Sequence, residues 1–328
     1  MLAALAIAPW FYRPAVTVFL IATLFAYGED QNRGQPWLYL YWMLLLFTLF
    51  PPPVSMAACR CAISVAYIWS GIQKLNPQFF KIIPAWFVQP AVHWHLPAGI
   101  IDLLRWSIAG APFLEFGIGV ALWISPLRRP AIVATVLVHA TALLFLGPLG
   151  QNYNFVVWPW NLAMIALVCV LFARSGDAGF PKTFAQLRQS KTALAIIALY
   201  SLLPVLSYAG WWDSYFSFSL YAQNSATANI FITPTFADRL PAAMKAQVIP
   251  FSPAYDTEHQ GPLLFTFQLW CRKDLGVAFN AEPRIFHEMF VYLRRYAQQP
   301  EDLRMIIGPR AGPVIFYQGD EREFLTPK

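Results

Sequence analysis

The strongest constraint in this sequence is a series of long apolar runs, broken by short polar or proline-rich stretches, that fills its first two-thirds. A run of about 18 or more residues with few charges is long enough to cross the roughly 30 Å hydrocarbon core of a bilayer as a helix. Composition agrees: of 328 residues, 58% are hydrophobic and 12% charged, against roughly 45–50% and about 25% in soluble domains. A soluble core of this length could not hide so much apolar surface. Strands of a membrane barrel would alternate in polarity, and the first two-thirds show no such alternation. The expected fold is an α-helical multi-pass membrane protein of about seven spans with a small C-terminal α+β extramembrane domain, divided as 1–210 and 211–328.

Seven spans are expected. They run from Leu2 to Tyr27 (interrupted at Arg13 and Pro14), Pro36 to Phe50, Ser55 to Gln73, Trp106 to Ile124, Pro130 to Leu146, Phe155 to Phe172, and Thr192 to Ala209. The connection Lys74 to Arg105, rich in prolines and aromatics, is too long for a simple turn and predicts an interfacial or re-entrant element. SPLRRP predicts a tight turn that makes spans four and five antiparallel neighbours.

The net charge is +6. Its distribution matters more, because the part before Gly210 holds 12 Lys/Arg against 5 Asp/Glu and the part after it holds 11 against 12. Excess positive charge in short loops orients helices, and the pattern offers no nucleic-acid-binding face. Arg128 and Arg129 fall between spans four and five, and Arg174, Lys182, Arg188 and Lys191 between six and seven, all on one side if the chain alternates. That side is expected to be cytoplasmic, with the N-terminus, and the C-terminal domain extracytoplasmic. The expected location is the bacterial inner (plasma) membrane. The apolar N-terminus lacks the basic region and cleavage site of a removable signal.

After Trp211 the pattern changes. SYFSFSLY, NIFIT and LLFTFQLW predict short strands, and AEPRIFHEMFVYLRRYA has the apolar spacing of an amphipathic helix, with Pro283 near its start. The four cysteines, Cys59, Cys61, Cys169 and Cys271, form no CxxC pair and imply no disulfide framework.

Ionisable residues inside spans cost about 2.5–3.5 kcal/mol on insertion scales and so mark candidate sites. Glu115 and His139 each lie twelve residues from Leu127, which puts both about 18 Å from the turn at the same depth. Such a pair either relays protons or fixes helix packing through a hydrogen bond. Lys74 ends span three, where it either snorkels to headgroups or, if covered by the aromatic connection, acts as a base. His93 and His95 form an HxH on the same side and either pack at the interface with Trp94 or come within reach of a substrate oxygen; no further ligands cluster with them and no metal is expected. NYNFVVWPWNL offers amides and indoles that either form an aromatic belt at the interface or, at Asn154 and Trp158, contact a substrate.

The run GIQKLNPQFF, the long loop with HW, the acidic residue in the next span, the RR turn and the central histidine together resemble the HTTM family of vitamin K-dependent gamma-carboxylase-like membrane proteins. The likeness covers about Gln35 to Phe172 and overlaps with DoxX- and MauE-like membrane proteins. It implies that Lys74 is a catalytic base, that Glu115 and His139 are its intramembrane acid and histidine, and that the chemical partner is a lipid-soluble quinone or quinol. The tail after Trp211 does not resemble the family's larger external region, so glutamate carboxylation is not expected. Two functions remain open: a quinol-linked membrane oxidoreductase with Lys74 as base, and a non-catalytic scaffold or accessory subunit that engages a protein partner through its C-terminal domain.

Overall fold

The computed structural model describes residues 11–153, 155–173, 179–250, 263–271, 278–319 and 321–325. It is mostly helical, with a small C-terminal sheet, and divides into two compact units, 1–207 with 215–224 and 208–214 with 225–328. The chain thus crosses between units near residues 208, 215 and 225, where a single boundary near 210 was expected.

The first unit comprises α1 (Tyr12–Glu29), α2 (Pro36–Phe47), α3 (Pro52–Gln73), α4 (Pro77–Phe87), α5 (Gln89–His93), α6 (Ala98–Ala109), α7 (Ala111–Ala121), α8 (Ser125–Leu146), α9 (Val157–Val168), α10 (Phe180–Leu187) and α11 (Lys191–Leu206). Proline stands in the first turn of most of them, where its missing N–H costs no intrahelical bond. Asn76 caps α4 by accepting from Phe79 N, and Ser190 caps α11 by accepting from Ala193 N. Among the described residues, three helical stretches are long and apolar enough to cross a membrane: Pro52–Gln73, Ser125–Leu146 and Lys191–Ala209. Pro36–Phe47, Ala111–Ala121 and Val157–Ala173 are apolar but shorter. Part of the expected first span, residues 2–10, lies outside the described residues, as does Arg174.

Helix α3 is the axis of this unit. It packs against α2, α7 and α11, and its small residues Ala57, Ala58, Ala62 and Ala66 are buried. The approach to α7 is close. A Cβ built on Gly71 would stand 2.5 Å from Pro112 O and 2.6 Å from Phe116 N, so only glycine allows this crossing, as small residues do between apolar helices.

Two expectations change, and a third segment gains detail. The span expected over Trp106 to Ile124 is two helices parted at Gly110, because Pro112 cannot donate to Ile108 and continue the ladder of α6. SPLRRP is not a turn but the first turns of α8, which accept Pro126. Arg128 therefore faces inward, buried, with Nε donating to Leu122 O at 3.0 Å. The Lys74 to Arg105 connection contains α4, α5 and part of α6, and α4 buries Phe79, Ile83 and Phe87.

SYFSFSLY is not a strand. It holds a single 3-10 turn, Tyr215–Ser217, and then irregular chain in which Phe218, Tyr221 and Gln223 have positive φ. Its alternating aromatics serve packing: the Phe216 ring lies 4.8 Å from Tyr39 and the Phe218 ring 5.8 Å from Tyr200.

The second unit carries β1 (Thr227–Ile232), α12 (Pro234–Arg239), α13 (Ala242–Lys245), β2 (Val248–Pro250), β3 (Leu263–Phe265), α14 (Phe267–Trp270), α15 (Pro283–Arg294), β4 (Leu303–Gly308), β5 (Val314–Gln318) and β6 (Glu321–Leu325). The strands pair antiparallel in the order β2-β3-β1-β4-β5-β6. Buried Leu303, Met305 and Ile307 alternate along β4, as a sheet with one covered face requires. The expected amphipathic helix is α15, which buries Ile285, Phe286, Phe290 and Leu293 in the same core. LLFTFQLW gives strand only over its first residues and turns into α14 after Thr266.

Candidate functional site

A cavity of about 280 Å³ lies inside the helical unit, close to the lower end of ligand-pocket sizes. Helix α3 supplies Tyr67, Ser70 and Lys74 to its wall. At positions i, i+3 and i+7 these share one helix face.

Lys74 is the C-cap of α3 and is 6% exposed. Its ammonium donates to Glu115 Oε2 at 2.7 Å, to Ser70 Oγ at 2.7 Å and to Ser70 O at 3.2 Å. All three N–H bonds thus have acceptors. Glu115, on α7, reaches Lys74 because the Gly71 crossing brings α3 and α7 together. The pair is neutral overall, which makes it far cheaper to keep in an apolar cavity than either charge alone.

A second polar chain runs across the cavity. His139, on α8, hydrogen-bonds through Nε2 to Tyr67 Oη at 2.6 Å and through Nδ1 to Asn161 Oδ1 at 2.6 Å. Asn161, on α9, donates Nδ2 to Val157 O at 2.7 Å. The carboxylate and imidazole expected to meet therefore line one cavity but have different described partners, Glu115 with Lys74 and His139 with Tyr67 and Asn161.

The remaining walls are mostly apolar, with Ser107 and Thr141 the added hydroxyls. Phe79, Ile83 and Phe87 of α4 and Trp160 of α9 stand with Phe218 and Tyr221 from the returning segment 215–224. That segment is tied to the end of α3 by amides. Asn76 Nδ2 donates to Ala222 O at 2.7 Å, and Asn224 Nδ2 donates to Gln73 Oε1 at 3.0 Å. Leu114 and Leu137 also line the cavity, though they are 44% and 62% exposed. They mark an opening between α7 and α8 on an apolar face.

Lys74, Glu115 and His139 are thus gathered at one place. His93 and His95 are exposed at and beyond the end of α5 and do not line the cavity. The HxH spacing puts them near the right connection, but α5 turns them outward. Trp158 also lies off the cavity, with its Nε1 donating to Leu146 O at 3.3 Å. On α9 the cavity-facing stripe is Val157, Trp160, Asn161 and Met164. Asn154 lies outside the described residues. Tyr67 and Ser70 were not anticipated; their shared face with Lys74 is the signal that could have found them. No group of three or more His, Cys, Asp or Glu suited to a metal occurs among the described residues.

Comparison with protein-family profiles, with curated proteins and with solved structures gives no match to this chain.

Proposed function

We propose that this chain is a multi-pass membrane protein of about seven spans whose cavity binds a lipid-soluble quinol, with Lys74 acting as the base. The observation that carries this reading is the burial of Lys74, Tyr67 and His139, with Glu115 half-buried, around one largely apolar cavity. Long apolar helices support the membrane setting, and the opening beside Leu114 and Leu137 would admit an apolar ring and its tail from the bilayer. The motif resemblance to HTTM and DoxX-like proteins points to the same partner, and the Lys/Arg bias of the loops supports a cytoplasmic N-terminus and an extracytoplasmic second unit.

The chemistry follows from the ion pair. Moving a proton from Lys74 Nζ to Glu115 Oε2, 2.7 Å away, converts ammonium and carboxylate into amine and acid. The amine then takes the proton of a quinol hydroxyl, and the resulting oxyanion faces a newly formed ammonium. In this reading the tyrosine and imidazole opposite position the ring.

The test is quinol turnover by protein reconstituted in lipid. Lys74→Ala should lower it by about 10²–10⁴-fold, measured per folded molecule because the variant also loses the ion pair's stability. Unchanged turnover would refute the role of Lys74, and a native protein that binds no quinol would favour the accessory-subunit reading.

A further inference from the structure

The protons of the second polar chain can be assigned by accounting for each donor and acceptor. Asn161 spends its Nδ2 on Val157 O, so the atom it turns to His139 is the carbonyl Oδ1, which only accepts. His139 Nδ1 must then carry the hydrogen. In a neutral imidazole the other nitrogen is an acceptor, so Nε2 takes the hydrogen bond and Tyr67 Oη donates it. Thr135 also lies within hydrogen-bonding reach of Tyr67, but its hydroxyl proton goes to Ala131 O at 2.9 Å. Tyr67 has one proton, and His139 holds it. Toward the cavity, Tyr67 Oη therefore presents lone pairs and no hydrogen.

We infer that Tyr67, held in this state by His139 and Asn161, makes the cavity select the hydroxyl form of its ligand over the carbonyl form. The inference rests on the quinol reading of the same site. A quinol hydroxyl placed against Tyr67 Oη donates to it. The carbonyl oxygen of the corresponding quinone meets lone pairs instead. To bind it, Tyr67 would have to turn its proton away from His139 and leave a buried imidazole nitrogen without a donor. A buried site that must leave a polar group unpaired discriminates strongly against the wrong ligand. At the other end of the α3 stripe no such choice is made, because the Ser70 hydroxyl accepts from Lys74 and keeps its own proton to donate, while Glu115 accepts. Selectivity between the two forms thus belongs to the Tyr67 end, and Asn161 is a positioning residue that acts through the histidine tautomer.

Equilibrium binding of duroquinol and of duroquinone to the lipid-reconstituted protein, under anaerobic conditions, tests this. The native protein should bind the quinol at least about tenfold more tightly than the quinone. Tyr67→Phe removes one hydroxyl and should bring the ratio close to one while the quinone still binds. Asn161→Leu frees the tautomer, lets His139 donate to Tyr67, and should shrink or reverse the ratio. If Asn161→Leu does not fold, Tyr67→Phe alone carries the test. Equal native affinity for the two forms, or a preference that survives Tyr67→Phe, overturns the inference and leaves the quinol site standing. Binding of neither compound overturns the quinol reading and this inference with it.

Discussion

Gly119 of α7 meets Ser64 of α3 so closely that a Cβ built on the glycine would stand 2.7 Å from the Ser64 carbonyl oxygen. With Gly71 one further contact along, it fixes how near the two helices run. Their separation sets where Glu115 lies relative to Lys74.

Gly71→Ala is expected to force α3 and α7 apart, since both of the nearest obstacles are backbone atoms. The cost should be about 1–3 kcal/mol, the usual range for overpacking, with weaker ligand binding because the carboxylate withdraws from the ammonium. Thermal unfolding in detergent checks the first effect and equilibrium binding the second. Gly28, which has nothing within 4 Å of its built Cβ, provides a control in which alanine should not cause a clash.

Removing one member of the Lys74–Glu115 pair leaves the other charge buried. Lys74→Met or Glu115→Leu alone should destabilise by about 3–5 kcal/mol, and the double variant should recover most of that loss. A double-mutant cycle on thermal stability measures it. Equal losses in the single and double variants would mean that the pair does not stabilise the native unit.

Asp302 of the second unit is pulled in two directions. Burial raises its pKa, but backbone N–H groups of Gln298 and Gln299, the Thr233 hydroxyl and Arg239 outweigh burial and hold it below the usual carboxylate range. A carboxylate depressed in the folded state contributes stability that is present above its unfolded pKa and is lost as pH falls through the folded value. Asp302→Asn should lower the melting temperature by several degrees at neutral pH and flatten its decline toward acid. A melting series from neutral to acidic pH distinguishes the two profiles.

Glu282 has the opposite sign. Burial, and then the nearby Asp213 carboxylate, raise its pKa against the hydrogen bonds from Ser214 and the charge of Arg284. The folded state therefore binds the proton more tightly than the unfolded chain, and stability falls as pH rises above the ordinary carboxylate range. Glu282→Gln keeps an oxygen for Ser214 N and Oγ, which now donate at 2.7 and 2.6 Å. It should raise the melting temperature at neutral pH relative to the native protein, with the difference shrinking in acid.

Helix positions were largely legible because apolar runs and prolines mark them without reference to tertiary structure. Prolines were harder to interpret. In SPLRRP they open a helix, whereas Pro112 divides an expected one, and the same residue does either depending on whether the preceding turn needs its N–H. The depth of Glu115 and His139 was readable from residue counting. Rotation about the helix axis was not, so the partners Lys74, Tyr67 and Asn161 emerged only from packing. On α9 the phase was available in principle: 157, 160, 161 and 164 form a 3.6-residue stripe, from which Trp158 is excluded. SYFSFSLY misled because period-two aromatics describe a strand and a packed irregular segment equally well.

The returning stretch 215–224 places Phe218 and Tyr221 in the cavity wall, yet they are encoded after the final long apolar helix. During synthesis the wall of this cavity therefore stays unfinished until translation has passed beyond the hydrophobic part of the chain. A polypeptide stopped at residue 210 would hold the lysine, the acid and the imidazole but lack the aromatic side chains that line the cavity beside them.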